Sequence, residues 1–195
     1  GRIFSLRPPW MCSVAMGGSS GPGWSNESYY VKTTEMWDPA TGNWTTLANS
    51  ASIPRAYHSA AVLLPDARVL LTGNGDAGGQ SDQKSGQLFS PPYLFKGGRP
   101  VITSAPATVG YNATFSVVTP NAAQVTEVRW IRLGSVTHAF DMSARANTLT
   151  FTRTASGVDV AAPQNGFIAP PGDYLLFILN RNGVPSVGTV VQIHN

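Results

Sequence analysis

The sequence predicts an all-β protein with two regions of different architecture. Of its 195 residues, 42% are hydrophobic and only 12% are charged, a composition unlike that of disordered chains. The chain also contains 20 glycines and 15 prolines, and short hydrophobic segments alternate with clusters of turn-forming residues. Many short strands joined by tight turns are typical of sandwiches, barrels and propellers.

Residues 1–97 have the pattern of an incomplete kelch-type β-propeller segment. A strand ending in Gly-Gly is followed by a polar loop, a hairpin flanked by tryptophans, two hydrophobic strands and a further strand. Met16-Gly17-Gly18 and Thr72-Gly73-Asn74-Gly75 lie 56 residues apart at equivalent points, close to the kelch repeat of about 50 residues. There is room for one full blade and part of another, so this region alone would leave sheet edges uncovered.

Residues 98–195 are predicted to form an immunoglobulin-like β-sandwich. Eight candidate strands follow Pro100, with turn signals every 8 to 12 residues, and the segment EVRWIRL alternates polar and apolar residues as a half-buried strand does. The single cysteine, Cys12, cannot form an internal disulfide, so the prediction depends on strand number. Trp37, Trp44 and Trp130 are expected to lie in the core.

Charge and hydropathy limit the classes of partner. The net charge is +3 and the basic residues are scattered, which predicts no nucleic-acid partner. No apolar run approaches the roughly 18 residues of a membrane helix, and no signal peptide is recognisable. Asn-x-Ser/Thr triplets at Asn26, Asn43 and Asn112 permit glycosylation in a secreted protein. The chain begins without an initiating methionine, and we interpret it as a piece of a longer protein.

Four segments follow one another along the chain: IPRAYHSAAVLLPDARVLLTG, LFSPPYL, GSVTHAFDM and APPGDYLLFILNRNGVPSV. Taken in this order, they resemble the C-terminal part of the galactose oxidase and glyoxal oxidase family of secreted copper-radical oxidases. The resemblance extends from about Arg2 to Asn195. The details IPRAYHS, SPPYL and HAFDM are closer to the glyoxal oxidase-like branch.

The resemblance implies a site with one copper ion. In the family, two histidines and two tyrosines hold the metal, and the matching residues here are Tyr57, His58 and His138. Tyr57 would also act as the catalytic base. The second family tyrosine is cross-linked to a cysteine and carries the radical. No residue of this chain matches that pair, which we expect from a missing upstream segment.

The residues themselves are compatible with this site and also with a simpler role. Imidazole and phenolate are suitable ligands for Cu(II). Consecutive side chains in a strand point to opposite faces, so Tyr57 and His58 could share a metal only at a strand end or a bulge. A lone histidine in a β-protein is more often structural. His194 is expected at the surface, and Arg55 and Arg129 are expected to be structural ion-pair partners.

Two functions follow from these observations. The first is the C-terminal part of a secreted oxidase that converts aldehydes or primary alcohols with O2 and releases H2O2. The chain as given lacks the radical pair and is expected to be inactive alone, with a missing propeller segment or another chain covering the open edge. The alternative is a non-catalytic secreted module that binds carbohydrate or serves in assembly, because fold alone does not determine function.

Overall fold

The computed structural model describes residues 3–5, 13–23, 26–38, 40–49, 52–75, 81–138 and 140–194. Strands dominate them, with short 3-10 turns at Glu27–Tyr29, Pro92–Phe95 and Ala122–Gln124, so the all-β prediction is confirmed. The chain forms two compact units. Unit 1 comprises Gly1–Leu64, Arg68–Ser90 and Gly134–Ser143, and unit 2 comprises Pro65–Ala67, Pro91–Leu133 and Ala144–Asn195. The domain boundary at residues 97/98 stays a prediction. In the described part of the chain, no helix has the length and apolar character needed to cross a membrane.

Unit 1 begins with a four-stranded antiparallel sheet in the order β1-β2-β3-β4. Its strands are β1 Ile3–Ser5, β2 Ser13–Met16, β3 Thr33–Trp37 and β4 Trp44–Asn49. The β3–β4 turn is fixed by its own polar groups: the Asp38 carboxylate accepts from the Ala40 N–H (2.9 Å), and the Gly42 N–H donates to the Asp38 carbonyl (2.8 Å). Gly42 has φ +72°, which glycine adopts without steric cost.

A second antiparallel sheet follows in the order β5-β6-β7, with β5 Ala60–Leu63, β6 Val69–Thr72 and β7 Gly86–Phe89. Ala61, Val69 and Leu71 form one buried cluster with Val14 and Met16 of the first sheet. The repeat seen in the sequence is visible here, because β2 and β6 are the second strands of their sheets and each ends immediately before a glycine with positive φ. No closed propeller is present among the described residues, and the kelch assignment stays a prediction.

The expectation that Trp44 lies in the core is wrong. Trp44 is 49% exposed, and Trp37, which it faces across the β3–β4 pair, is only half-buried. The reason is position, since β4 is the outermost strand of its sheet in the described part of the chain, and nothing described covers that edge. A large aromatic side chain alone does not predict burial, because much of a folded protein's surface is apolar.

Ten further strands complete the chain: β8 Thr108–Gly110, β9 Thr114–Val118, β10 Val125–Arg132, β11 Val136–Thr137, β12 Phe140–Asp141, β13 Ala146–Leu149, β14 Phe151–Arg153, β15 Gly157–Ala161, β16 Gly172–Asn180 and β17 Thr189–His194. Strands β11 and β12 form a hairpin that belongs to unit 1. The other eight form unit 2, as a five-stranded sheet ordered β13-β10-β16-β17-β8 and a three-stranded sheet ordered β14-β15-β9. The predicted immunoglobulin-like fold is confirmed.

The core of unit 2 is centred on Trp130, which is fully buried as predicted. Its ring stacks on Tyr174 with centroids 4.7 Å apart and near Phe115 at 6.4 Å. The indole N–H donates to Asn147 Oδ1 (3.2 Å), so the one polar atom of the side chain is satisfied. Next to it in β10, Arg129 forms the predicted ion pair, with Glu127 at 2.6 Å.

Tyr93 is a second buried aromatic of unit 2, and its hydroxyl donates to the carbonyl of Ala67 (2.5 Å). Burial raises the pKa of this phenol well above its ordinary value of about 10. The unfolded chain therefore ionises first. The stability from a neutral Tyr93 is complete below about pH 10 and is lost as the pH rises through the folded-state pKa.

We expect Tyr93→Phe to lower the free energy of unfolding by about 1–3 kcal/mol at pH 7, because the buried Ala67 carbonyl loses its donor. Above about pH 10 the wild type also loses stability by ionisation, so the difference between the two proteins should shrink. Urea unfolding at pH 7 and pH 11 measures both values. Tyr29→Phe, at a side chain that is 54% exposed, is the control and should change the pH 7 value by less than about 0.5 kcal/mol. A difference that stays constant with pH would contradict the assignment.

Candidate metal centre

Tyr57 and His58 lie in a tight turn immediately before β5, not within a strand. The Ser59 N–H donates back to the carbonyl of Ala56 (3.4 Å), and His58 has φ +59°, in the left-handed region. This backbone removes the alternation of a strand, in which neighbouring side chains diverge. The two rings instead face each other at a tilt, with centroids 3.9 Å apart and planes inclined by 34°.

His138 occupies the turn of the β11–β12 hairpin and also has a left-handed backbone, with φ +55°. The base of the hairpin is held by Asp141, whose Oδ1 accepts from the N–H groups of Ser135 and Ser143, both at 3.0 Å. The hairpin packs beside β5 and β1 within unit 1. Thr137 Oγ1 lies 2.8 Å from Nδ1 of His138 and forms a hydrogen bond with it.

The three residues predicted from the sequence come together. The His138 ring centroid lies 5.2 Å from that of Tyr57 and 4.9 Å from that of His58, and the ring planes are inclined by 62° and 69°. Both histidines are exposed and Tyr57 is half-buried, so solvent reaches the cluster.

These separations can be compared with those required by a shared ion. With a metal–nitrogen bond of about 2.0 Å, an imidazole centroid lies about 3.2 Å from the metal. If the two metal–nitrogen bonds form a right angle, the two centroids are then about 4.5 Å apart. The observed 4.9 Å between His58 and His138 is close to that value. Among the described residues, no three His, Cys, Asp or Glu side chains form a metal-binding group, so the candidate third donor is the phenol of Tyr57. Two imidazoles and a phenolate are donor types that suit copper. The Tyr57 and His58 rings, with centroids 3.9 Å apart, are closer together than in this simple geometry.

A hydrogen bond determines which nitrogen of His58 is available. Its Nδ1 lies 3.1 Å from the carbonyl oxygen of Gly75. A carbonyl only accepts, so Nδ1 carries the proton and Nε2 of the neutral ring keeps its lone pair. Metal-binding histidines usually donate their second N–H in this way. The Gly75 N–H in turn donates to the carbonyl of Tyr57 (3.2 Å).

Arg55 stabilises the turn that contains Tyr57 and His58. Its side chain is fully buried, and its guanidinium donates to the Gly73 carbonyl (2.7 Å), Ser85 Oγ (3.1 Å) and Gln87 Oε1 (3.1 Å). Its own carbonyl accepts from the Gly18 N–H (2.7 Å). Burial lowers its pKa. The structural role was predicted, but within the described residues the acceptors are neutral, not the expected carboxylate.

The residues that surround the pair carry no recognisable sequence signature. Asn74 and Gly75 belong only to an imperfect repeat, and Glu27 is part of no chemical motif. The side chain of Asn74 contacts both Ala56 and Glu27, which lie 18 and 47 residues away in sequence. The only signal available was the Gly-Asn-Gly triplet after a hydrophobic strand.

Gly73 is required at its position for two reasons. Its φ is +82°, and a Cβ there would lie 2.5 Å from the carbonyl oxygen of His58. Gly42 shares the backbone problem (φ +72°) but has nothing within 4 Å. We expect Gly42→Ala to cost only the left-handed strain of about 1–2 kcal/mol. Gly73→Ala should cost at least about 1 kcal/mol more and alter the His58 ring environment.

Thermal unfolding and the His58 imidazole NMR signals of the two variants provide the measurement. If Gly73→Ala matched Gly42→Ala in stability and left the His58 signals unchanged, the close packing of Gly73 against His58 would be refuted.

Comparison with known proteins gives the family. Residues 99–193 match the family model described as Galactose oxidase-like, Early set domain. The chain is 36% identical over 160 residues to an aldehyde oxidase GLOX of Vitis pseudoreticulata, covering 73% of this chain and 30% of that protein. It is 32% identical over 152 residues to a galactose oxidase of Gibberella zeae, covering 74% and 22%. The chain thus spans less than a third of the length of these relatives.

One solved structure has a similar fold over the full length of this chain. A fungal alcohol oxidase of the AA5 family, determined in complex with copper, superposes with a TM-score of 0.90 at 28% identity, covering 100% of this chain and 42% of that one. The fold and the sequence therefore point to the same relatives. Residues 99–193 are a galactose oxidase-like early set domain, and the chain belongs with the glyoxal oxidase and galactose oxidase family.

Proposed function

We propose that this chain is the copper-binding C-terminal part of a secreted copper-radical oxidase that oxidises aldehydes or primary alcohols with O2 and releases H2O2. The observation that carries the proposal is the convergence of Tyr57, His58 and His138 from two separate turns. Both histidines are in left-handed backbone, which is uncommon for a residue other than glycine. Strain of this kind clusters at functional sites.

The relatives support the chemistry. Those compared are an aldehyde oxidase and a galactose oxidase, and the full-length structural relative is an alcohol oxidase that binds copper. The aldehyde oxidase has the higher identity of the two, 36% against 32%, in agreement with the motifs that resemble the glyoxal oxidase-like branch.

Each residue of the cluster has a defined task in this proposal. His58 would hold the metal through Nε2, because Nδ1 is committed to the Gly75 carbonyl, and His138 would supply the second imidazole. Tyr57 would bind as phenolate and accept the hydroxyl proton of an alcohol, or of a hydrated aldehyde. Bound copper would supply one-electron redox chemistry.

The overall reaction balances for both substrate classes, with one water consumed when the substrate is an aldehyde, because the hydrate is then the species oxidised. A primary alcohol loses two electrons and two protons to become an aldehyde, and O2 gains them to become H2O2. A bound copper ion would supply one-electron chemistry, so this two-electron reaction would require a second one-electron carrier. The family resemblance assigns this task to a cross-linked tyrosine–cysteine pair, which no residue of this chain matches.

An additional chain segment is part of the proposal. β7 is an edge strand of its three-stranded sheet in the described part of the chain, and its Leu88 is 49% exposed. Such an edge can pair with a further strand. We propose that the missing propeller segment, or another chain, covers it.

Copper titration of the full chain tests the site. We expect one Cu(II) per chain, and loss of more than about 100-fold in affinity in His58→Ala and in His138→Ala, a larger loss than removal of an outer-shell partner causes. His194→Ala is the matched control, since that histidine lies on the exposed end of β17. Tyr57→Phe should bind copper but lack the phenolate-to-copper charge-transfer absorption. Equal affinity in all four variants would refute the site and favour the non-catalytic module.

Activity is a separate expectation. We expect the 195-residue chain with copper to release no peroxide from aldehydes or primary alcohols, because it lacks a match to the radical pair. A peroxidase-coupled assay over a panel of both substrate classes measures this, with a catalytically competent member of the family as positive control. Clear turnover by the chain alone would show that the second electron carrier lies within it.

A further inference from the structure

We infer that Asn74 is a positioning residue for His58, and that the carboxylate of Glu27 orients the side-chain amide of Asn74. The inference deepens the proposed function, on which it rests, because it concerns how the chain prepares one imidazole for a metal. The hydrogen bonds of both residues, as far as the structure describes them, go to groups other than the His58 ring. Their effect passes through the Gly73-Asn74-Gly75 segment that follows β6.

The first step is the dependence of His58 on Gly75. The Nδ1–H of His58 donates to the Gly75 carbonyl, and this bond keeps Nε2 unprotonated. The direction of that carbonyl depends on the unusual backbone of Gly75, with φ +118°. If the carbonyl rotated away, the neutral imidazole would be free to carry its proton on either nitrogen.

The second step is the position of Asn74, the residue before Gly75. It is 6% exposed and has φ +128°, a rare backbone angle for a residue with a side chain. Its side chain makes three hydrogen bonds. Oδ1 accepts from the Ala56 N–H (2.6 Å), and Nδ2 donates to Glu27 Oε1 (2.5 Å) and to the Ser81 carbonyl (3.1 Å).

These partners determine the orientation of the amide. A backbone N–H must face the oxygen, while a carboxylate and a carbonyl must face the NH2 group. Asn74 therefore connects two backbone segments. One is Ala56, which immediately precedes Tyr57, and the other is Gly75, whose carbonyl accepts from His58.

The third step is the role of Glu27. Its Oε1 accepts from Asn74 Nδ2 and from the Ser81 N–H (2.9 Å), so it joins both ends of the 74–81 segment. Glu27 is itself fixed in a 3-10 turn capped by Asn26, whose Oδ1 accepts from the Ser28 N–H (3.1 Å). Charge-assisted bonds of this kind are stronger than neutral ones.

The variant Asn74→Asp tests the inference with almost no change in volume. It keeps the acceptor for the Ala56 N–H but replaces the NH2 donor with an oxygen that faces the Glu27 carboxylate. We expect copper affinity to fall about 10–100-fold, the usual effect of losing an outer-shell partner. In the metal-free chain at pH about 8.5, where an ordinary imidazole is neutral, His58 should change from the Nδ1–H tautomer to a mixture.

Two further variants make the test specific. Asn74→Asp combined with Glu27→Gln places an NH2 group opposite the new carboxylate. It should recover part of the affinity and of the tautomer, because the Ser81 carbonyl still faces an oxygen. Asn180→Asp is the matched control: Asn180 is 8% exposed, and its amide also accepts from backbone N–H groups (Asn182 and Val184, 3.0 Å each) and donates to a carbonyl (Gly98, 3.0 Å). It belongs to unit 2, so its change should destabilise the fold without altering His58.

The measurements are the 15N signals of the three histidine rings, assigned with His138→Ala and His194→Ala, and copper titration of the folded protein. If Asn74→Asp folds and keeps the wild-type tautomer and affinity, the inference is overturned. If it does not fold, Glu27→Ala replaces it and should give a three- to tenfold loss with the same tautomer change; an unchanged result there also overturns the inference. If the wild type binds no copper, the proposed function fails, and the tautomer comparison still decides the role of Asn74.

Discussion

The structure of unit 1 depends on one backbone constraint. The rings of the consecutive residues Tyr57 and His58 lie together, which the alternation of a strand does not allow, and His58 has a left-handed conformation. That conformation costs about 1–2 kcal/mol in a residue with a Cβ. Hydrogen bonds at Gly75, Ala56 and Arg55 offset it, and Gly73 provides the space. His138, in the β11–β12 hairpin, has nearly the same φ.

Arg55 connects this turn to the rest of the unit. Through its carbonyl and guanidinium it binds Gly18 at the end of one sheet's second strand, and Gly73 at the end of the other's. The two glycine-ended strands that gave the repeat in the sequence are therefore joined at equivalent places. A buried cation with several well-aligned carbonyl and hydroxyl partners avoids the desolvation cost that an unpaired charge would carry.

Local chemistry was enough to predict much of this molecule. Alternation along β10 identified a half-buried strand around Trp130, and turn residues separated the strands. The cluster of Tyr57, His58 and His138 was proposed from motif resemblance, and its proximity could not follow from spacing, since 80 residues separate the two histidines. Trp44 was misplaced because burial depends on which strand lies at the edge. Asn74 and Glu27 were missed because their importance comes from contacts distant in sequence, which no local pattern encodes.

The hairpin of β11 and β12 lies in sequence between two strands of unit 2, β10 and β13, yet it is part of unit 1. The sequence of unit 2 is therefore interrupted by a segment that folds as part of unit 1. Neither half of the polypeptide can be exchanged, shuffled or expressed separately and still contain all three rings. Any chain that holds all three rings together has therefore already packed the β11–β12 hairpin beside β5.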